Sequence, residues 1–268
     1  MYRLTINGAV HEIEEDGSLL DYLRDTADIT SVKNGCAEGA CGACTVLIDG
    51  RTARACVQKV SRLDGKTVTT VEGLSERERE IYVWAFGSAG AVQCGFCIPG
   101  MVMSAKGLLD ANPNPSTAEI KAALKGNLCR CTGYAKIEKA VAMAAEALRD
   151  PGFLPPKDPY ARPYSLGERM PRLDAREKVL GTGKYVEDLK MPGMLYGAAL
   201  RPKTPRERIV EIDTRAAAAH PGVVAVLTAE DVPGERYIGH IVHDWPVLIA
   251  PGEVTRYAGD ALALVAAV

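Results

Sequence analysis

All eight cysteines of this 268-residue chain lie between positions 36 and 131. Cysteines that merely fill cores scatter along a sequence, so a cluster of this kind points to shared chemistry. Nothing at the N-terminus reads as an export signal. Met1-Tyr-Arg-Leu-Thr-Ile alternates polar and apolar residues instead of opening on a continuous apolar stretch. The expected compartment is therefore the reducing cytoplasm, where clustered thiols bind metal in preference to forming disulfides. Composition mostly excludes. Thirty-two basic against 34 acidic residues leave a net charge of −2. That gives no electrostatic footprint for nucleic acid and no polybasic patch for a membrane. No apolar stretch approaches the ~20 residues that span a bilayer. The length predicts two or three domains.

Hydrophobic period divides the chain. Tyr2, Leu4 and Ile6 alternate with Arg3 and Thr5, and Asn7-Gly8 marks a hairpin. Ser18 is placed to cap a helix carrying Leu19, Leu20 and Leu23, with Asp21 completing a capping box. A Gly-rich loop (Gly35, Gly39, Gly42) leads into a strand at Thr45–Ile48, a second turn at Asp49-Gly50, and a β-branched strand over Thr67–Val71. From about residue 74 the period becomes helical. Ser75-x-x-Glu78 and Ser116-x-x-Glu119 read as capping boxes, and Ile137, Ala140, Val141, Ala144, Ala145 and Leu148 make one apolar helix face. Six prolines (151, 155, 156, 159, 163 and 171) predict an extended linker. Beyond it, strands are expected at Arg208–Ile212 and Val223–Leu227, with a short Ala-rich helix between them stopped at Pro221-Gly222. The apolar end, Ala261 to Val268, reads as a buried strand needing a partner from elsewhere, which suggests a fragment or one half of a split polypeptide.

The cysteines form two sets. Cys36-x4-Cys41-x2-Cys44 followed by Cys56 is the plant-type 2Fe–2S spacing. Three thiolates on one tight loop must converge on one side of a cluster. Gly35, Gly39 and Gly42 are expected to supply the positive φ values for that curl and to expose N–H groups to the sulfurs. The fourth ligand would come from a separate strand across the hairpin. A structural zinc site is the competing reading, but zinc favours paired Cys-x2-Cys units. The second set, Cys94-x2-Cys97 and Cys129-x-Cys131, is less specific alone and also compatible with zinc. Both of its pairs lie at helix boundaries, where the helix dipole favours thiolate. Beside a first iron–sulfur domain, a second cluster is the better reading, and two clusters make a one-electron relay. Arg130, between two cysteines, would be structural or would tune a cluster by its charge. His240-x2-His243 reads as solvated polar residues, and Gly181-Thr-Gly183-Lys184 lacks the full spacing of a phosphate loop.

Taken together the motifs resemble those of the molybdenum hydroxylases, the xanthine dehydrogenases and aldehyde oxidoreductases. Asn34-Gly-Cys-Ala-Glu-Gly-Ala-Cys-Gly-Ala-Cys44 is similar to their ferredoxin-like cluster loop. Gln93-Cys-Gly-Phe-Cys-Ile-Pro-Gly100 and Asn127-Leu-Cys-Arg-Cys-Thr-Gly-Tyr134 are similar to the two halves of their helical-domain motif. Residues 174–188, 221–231 and 256–260 resemble the entry to the molybdenum part and its hammerhead region, with a departure at Arg201–Ile209.

The resemblance implies an α+β chain. A β-grasp ferredoxin-like domain (1–74) would be followed by a four-helix-bundle 2Fe–2S domain (75–150), a Pro-rich linker (151–173) and part of an α/β hammerhead domain (174–268). It implies two 2Fe–2S clusters, on Cys36, Cys41, Cys44 and Cys56 and on Cys94, Cys97, Cys129 and Cys131. In the complete enzyme a molybdopterin cofactor, as its cytosine dinucleotide, would lie nearest Gln93 and Cys131. Electrons would leave that centre through the helical-domain cluster, then the ferredoxin-like one, to an acceptor. No catalytic residue and no FAD domain falls within this chain. Its expected partners are a molybdenum-binding subunit or C-terminal portion, and a separate flavin subunit or a ferredoxin- or flavodoxin-type acceptor, with neither nucleic acid nor membrane. The oxidised substrate would be an aldehyde or a purine-type N-heterocycle. Two other readings compete: a stand-alone 2Fe–2S carrier or redox sensor, and a zinc-stabilised interaction module.

Overall fold

The computed structural model describes residues 1–156, 161, 163–168 and 170–268, which form two compact units, Met1–Asp188 and Leu189–Val268. The first unit opens with a mixed sheet. Strands β1 (Tyr2–Ile6) and β2 (Ala9–Ile13) join through Asn7 and Gly8, both at positive φ. Those paired values match the right-handed twist of the strands they connect. Asp49 and Gly50 repeat the device between β3 (Thr45–Ile48) and β4 (Arg51–Arg54). Strand β5 (Thr67–Thr69) lies between, parallel to β1 and antiparallel to β3, giving the order β2-β1-β5-β3-β4. It is shorter than the sequence implies, because Val71–Gly73 closes into a tight helical turn.

Leu4, Ile6, Val46 and Val68 face one side of this sheet and bury against Leu19, Leu20 and Leu23. Each such side chain contributes about 1.5–3 kcal/mol on burial. The helix that carries the leucines is one turn, α1 (Leu19–Asp21), widening at Tyr22–Thr26 into a π-turn in which Ala27 N–H donates to Tyr22 O. Ser18 caps it through Leu20 N–H at 3.2 Å, so Asp21 completes no capping box.

Four helices follow: α2 (Glu76–Ser88), α3 (Ile98–Ala111), α4 (Thr117–Leu124) and α5 (Ala135–Arg149). Ser75 with Glu78 and Ser116 with Glu119 form complete capping boxes at α2 and α4. Ile137, Ala140, Val141, Ala144 and Ala145 of α5 are buried and Leu148 is half-buried. Alanines on that face let α2 approach closely. α3 is the central helix, buried from Ile98 through Ala105.

The described residues of the Pro-rich stretch form neither helix nor strand, and Pro159 lies outside the described residues. The first unit does not stop at the stretch. A short α6 (Ala175–Leu180) and the residues to Asp188 pack back on it, with Val179 buried in the helical core. Gly181, which the sequence shows inside a phosphate-loop look-alike, is the left-handed end of α6.

In the second unit β6 (Tyr196–Leu200), a helical turn α7 (Arg215–Ala218) and β7 (Val223–Leu227) precede the small hairpin β8 (Tyr237–Ile238) and β9 (Trp245–Pro246). The last strand, β10 (Ala263–Ala267), lies between β6 and β7, antiparallel to both. Its partners therefore come from within the chain, which corrects the expectation of a strand supplied from elsewhere. Arg208–Ile212 forms a single bridge to Val254 and not a strand, and the backbone bonds Ile209 N–H to Glu253 O and Gly252 N–H to Ile209 O explain its short reach. Among the described residues His240 and His243 belong to no group of three or more side chains able to hold a metal ion, and His243 lies 3.4 Å from Glu235. The mixed sheet, helical bundle and α/β second unit agree with the expected α+β class, and no described helix is long and apolar enough to cross a membrane.

Candidate metal centres

The first four cysteines are gathered by the β3–β4 hairpin. Cys36 and Cys41 lie on the preceding loop, Cys44 at its end, and Cys56 in the tight turn Ala55–Val57 after β4. Ala55 N–H donates to Cys44 O at 3.1 Å, returning Cys56 to Cys44. The fourth cysteine thus sits on a turn and not on a strand. The loop curls through positive φ at Ala37, Gly39 and Gly42. Gly35 serves differently from the expectation: its φ is not positive, but a Cβ there would lie 2.8 Å from Cys41 Sγ. Close approach, not backbone freedom, requires that glycine.

Backbone N–H groups of Glu38 and Cys41 hold the Cys36 thiol down at about 7. Burial acts oppositely on Cys41, and pushes Cys44 up to about 12. A buried thiol gains its charge readily only when a cation balances it, and the N–H dipoles around Cys36 offset the residual negative charge.

The second set is built from helix ends. Cys97 is the N-terminal cap of α3 and is buried, while Cys129 and Cys131 lie on the turn before α5. Cys131 Sγ lies 3.6 Å from Cys94 Sγ. Burial, then the neighbouring Cys129 and Cys94 thiols, pushes the Cys97 thiol up. Burial opposes ionisation of Cys129 too, but Thr132 Oγ1, at 3.2 Å, and nearby backbone N–H groups outweigh it and hold that thiol down. Tyr134 fixes the turn. Its hydroxyl accepts from Cys129 N–H at 2.8 Å and donates to Asn127 O at 3.2 Å, which supports its own positive φ. Gln93, Cys94, Arg130 and Cys131 are all exposed.

The sulfurs of each set approach in pairs: Cys36 with Cys41, Cys44 with Cys56, Cys94 with Cys131, Cys97 with Cys129. Among the described residues, no group of three or more His, Cys, Asp or Glu side chains is set to hold a single metal ion. Two all-thiol sets, each divided into two pairs, suit a cluster in which each of two irons takes two thiolates.

The two sets also meet. Leu128 N–H donates to Cys41 O at 2.8 Å. Next to it, the buried Asn127 side chain donates to Gly42 O at 2.9 Å and accepts from Ser104 Oγ at 2.7 Å. A Cβ on Gly42 would lie 2.2 Å from Gly126 O, so the loops touch backbone to backbone. Asn127 and Tyr134 border the second motif in sequence, yet their partners mark no pattern there. Leu128 acts through its backbone, which sequence does not display.

A 2Fe–2S cluster-binding domain family matches residues 10–79, a [2Fe–2S] binding domain family residues 70–142, and the a/b hammerhead domain of aldehyde oxidase and xanthine dehydrogenase residues 180–268. The aldehyde oxidoreductase of Megalodesulfovibrio gigas is 38% identical over 98% of this chain and 31% of its own length. A solved structure of the aldehyde oxidoreductase from Desulfovibrio gigas superposes with a TM-score of 0.84 at 37% identity, over 99% of this chain and 31% of the other. The small FeS subunit of nicotinate dehydrogenase from Eubacterium barkeri is 48% identical, and the match takes in 93% of that subunit and 53% of this chain. This chain belongs to the molybdenum hydroxylase family. It spans about a third of the length of the aldehyde oxidoreductases that it matches from end to end. Two 2Fe–2S-binding domains are thus shared with the molybdenum hydroxylases, in the order that the cysteine spacing implies. The hammerhead match begins at residue 180, yet the chain as far as Asp188 folds with the cluster-bearing unit.

Proposed function

We propose that this chain carries electrons through two 2Fe–2S clusters within a molybdenum hydroxylase. Cys36, Cys41, Cys44 and Cys56 hold one cluster; Cys94, Cys97, Cys129 and Cys131 hold the other. Bound there, the clusters supply two one-electron stations. The polypeptide holds the thiols in pairs, buries Cys44 and Cys97 away from water, and joins the stations. The observation that carries this reading is the 2.8 Å hydrogen bond from Leu128 N–H to Cys41 O. It completes a bonded link from Cys41 Sγ through that residue's carbonyl and across to Leu128 and the Cys129 thiol. Asn127 holds the loops in register for it.

Gln93 and Cys131 face the molybdopterin, in its cytosine dinucleotide form, and what supports this is their exposure beside Cys94. Chain beyond this sequence or a partner subunit supplies that centre. Substrates are aldehydes or purine-type N-heterocycles, and electrons leave from the Cys36 set to a flavin subunit or a ferredoxin- or flavodoxin-type acceptor. The domains follow the boundaries 1–74, 75–150, 151–173 and 174–268 along the sequence, with residues 174–188 folding onto the cluster-bearing unit, in the cytoplasm. Metal and sulfide analysis of anaerobically purified protein tests the reading: about four irons and about four labile sulfides per chain are expected. Stoichiometric zinc without sulfide would overturn it.

A further inference from the structure

The segment from Ala175 to Asp188 belongs to neither cluster motif, yet it ties the surroundings of both sets together. At its far end Asp188 is almost fully enclosed. It accepts from Arg24 at 2.7 Å and from the buried Lys33 at 3.1 Å, three residues before Cys36. Three residues earlier, the Tyr185 hydroxyl donates to Cys94 O at 2.7 Å. The ring of Tyr185 stands edge-on to Phe96, with centroids 5.1 Å apart, and the Lys178 ammonium sits 4.0 Å from the ring centroid. The stem of Lys178 lies where a Cβ on Gly95 would be, 2.6 Å from its Cδ. The segment therefore brings one cation and one hydroxyl onto the Cys94–Cys97 loop.

We propose that Lys178 and Tyr185 are positioning residues that raise the reduction potential of the cluster on Cys94, Cys97, Cys129 and Cys131. The inference rests on the reading of that set as a 2Fe–2S site. Reduction adds one negative charge to a cluster, and a nearby cation stabilises the reduced form. The Tyr185 ring covers one side of the half-buried cation and so lessens its screening by water. The hydroxyl bond to Cys94 O fixes the loop under that charge. The Asp188 pairs anchor the segment on the ferredoxin-like side, where Lys33 Nζ also stands 5.0 Å from the Tyr185 ring, while Lys178 lies against the Cys94–Cys97 loop.

EPR-monitored redox titration of the full chain, loaded with both clusters, tests the proposal. Lys178→Met keeps the aliphatic stem and removes the charge. Its second-set signal is expected to titrate at lower potential, with the Cys36-set signal unmoved. Lys178→Arg is expected to restore the wild-type midpoint, and Tyr185→Phe to give a smaller shift in the same direction. Unmoved midpoints in Lys178→Met, or an equal shift of both clusters, would overturn the proposal while leaving the two-cluster reading intact. Wild-type protein with no second signal would instead remove the reading on which it rests.

Discussion

Asn127 concentrates the contact between the cysteine loops in one buried side chain. Its amide group donates to Gly42 O and Thr45 Oγ1 and accepts from Ser104, all within the interior of the first unit. Asn127→Ala would leave the buried Ser104 hydroxyl without its acceptor, at about 1–3 kcal/mol for an unsatisfied group, while Gly42 O keeps Thr45 N–H and Thr45 Oγ1 as donors. Urea unfolding of the variant is expected to show a loss of about 1–3 kcal/mol, and no change in midpoint would contradict the role. Gly42→Ala is a second test of the same contact. It adds a Cβ against the Gly126 carbonyl at a residue with φ of 70°. The left-handed backbone alone costs about 1–2 kcal/mol, and the backbone clash adds to it. Iron content is expected to fall in this variant because the loops must separate. The cysteine spacing showed where thiols would gather, but not what presses the loops together. That contact is made by backbone atoms and one amide whose partners lie far away in the chain.

Elements read best where their signals are local. Both full capping boxes, the two hairpin turns and the apolar face of α5 are short-range patterns, and the structure contains each of them. Elements that depend on distant partners were less legible. The α1 region widens into a π-turn, Arg208–Ile212 makes only a bridge, and β10 finds both neighbours inside the chain. In the second unit a network around Glu253 has its own pH signature. Glu253 accepts from Arg236 at 2.6 and 2.8 Å, from the Tyr237 hydroxyl and from Ala250 N–H. The Arg236 bonds in particular hold its carboxyl down at about 2. A carboxyl with a depressed folded pKa stabilises the fold above its unfolded value, and this contribution fades as pH falls toward the folded value. Glu253→Gln is therefore expected to lower thermal stability at neutral pH, by about 1 kcal/mol after allowing for partial exposure. The deficit should shrink through pH 4 and vanish near pH 2. A deficit that is constant with pH would show that the carboxylate charge is not responsible.

At the scale of the molecule, the cysteine sets are built independently and then joined. One is shaped by the β3–β4 hairpin and the other by the N-terminal ends of α3 and α5. Cys131→Ser is accordingly expected to halve the iron, from about four to about two per chain, and to leave the Cys36-set spectrum intact. Equal damage to both sets would mean that they assemble as one. The most direct test of the relay is low-temperature EPR of anaerobically reduced wild-type chain, with spins integrated. Two distinct rhombic signals of about one spin each are expected, since each cluster takes up one electron. A single signal of one spin, or a colourless protein without a signal, would contradict the account.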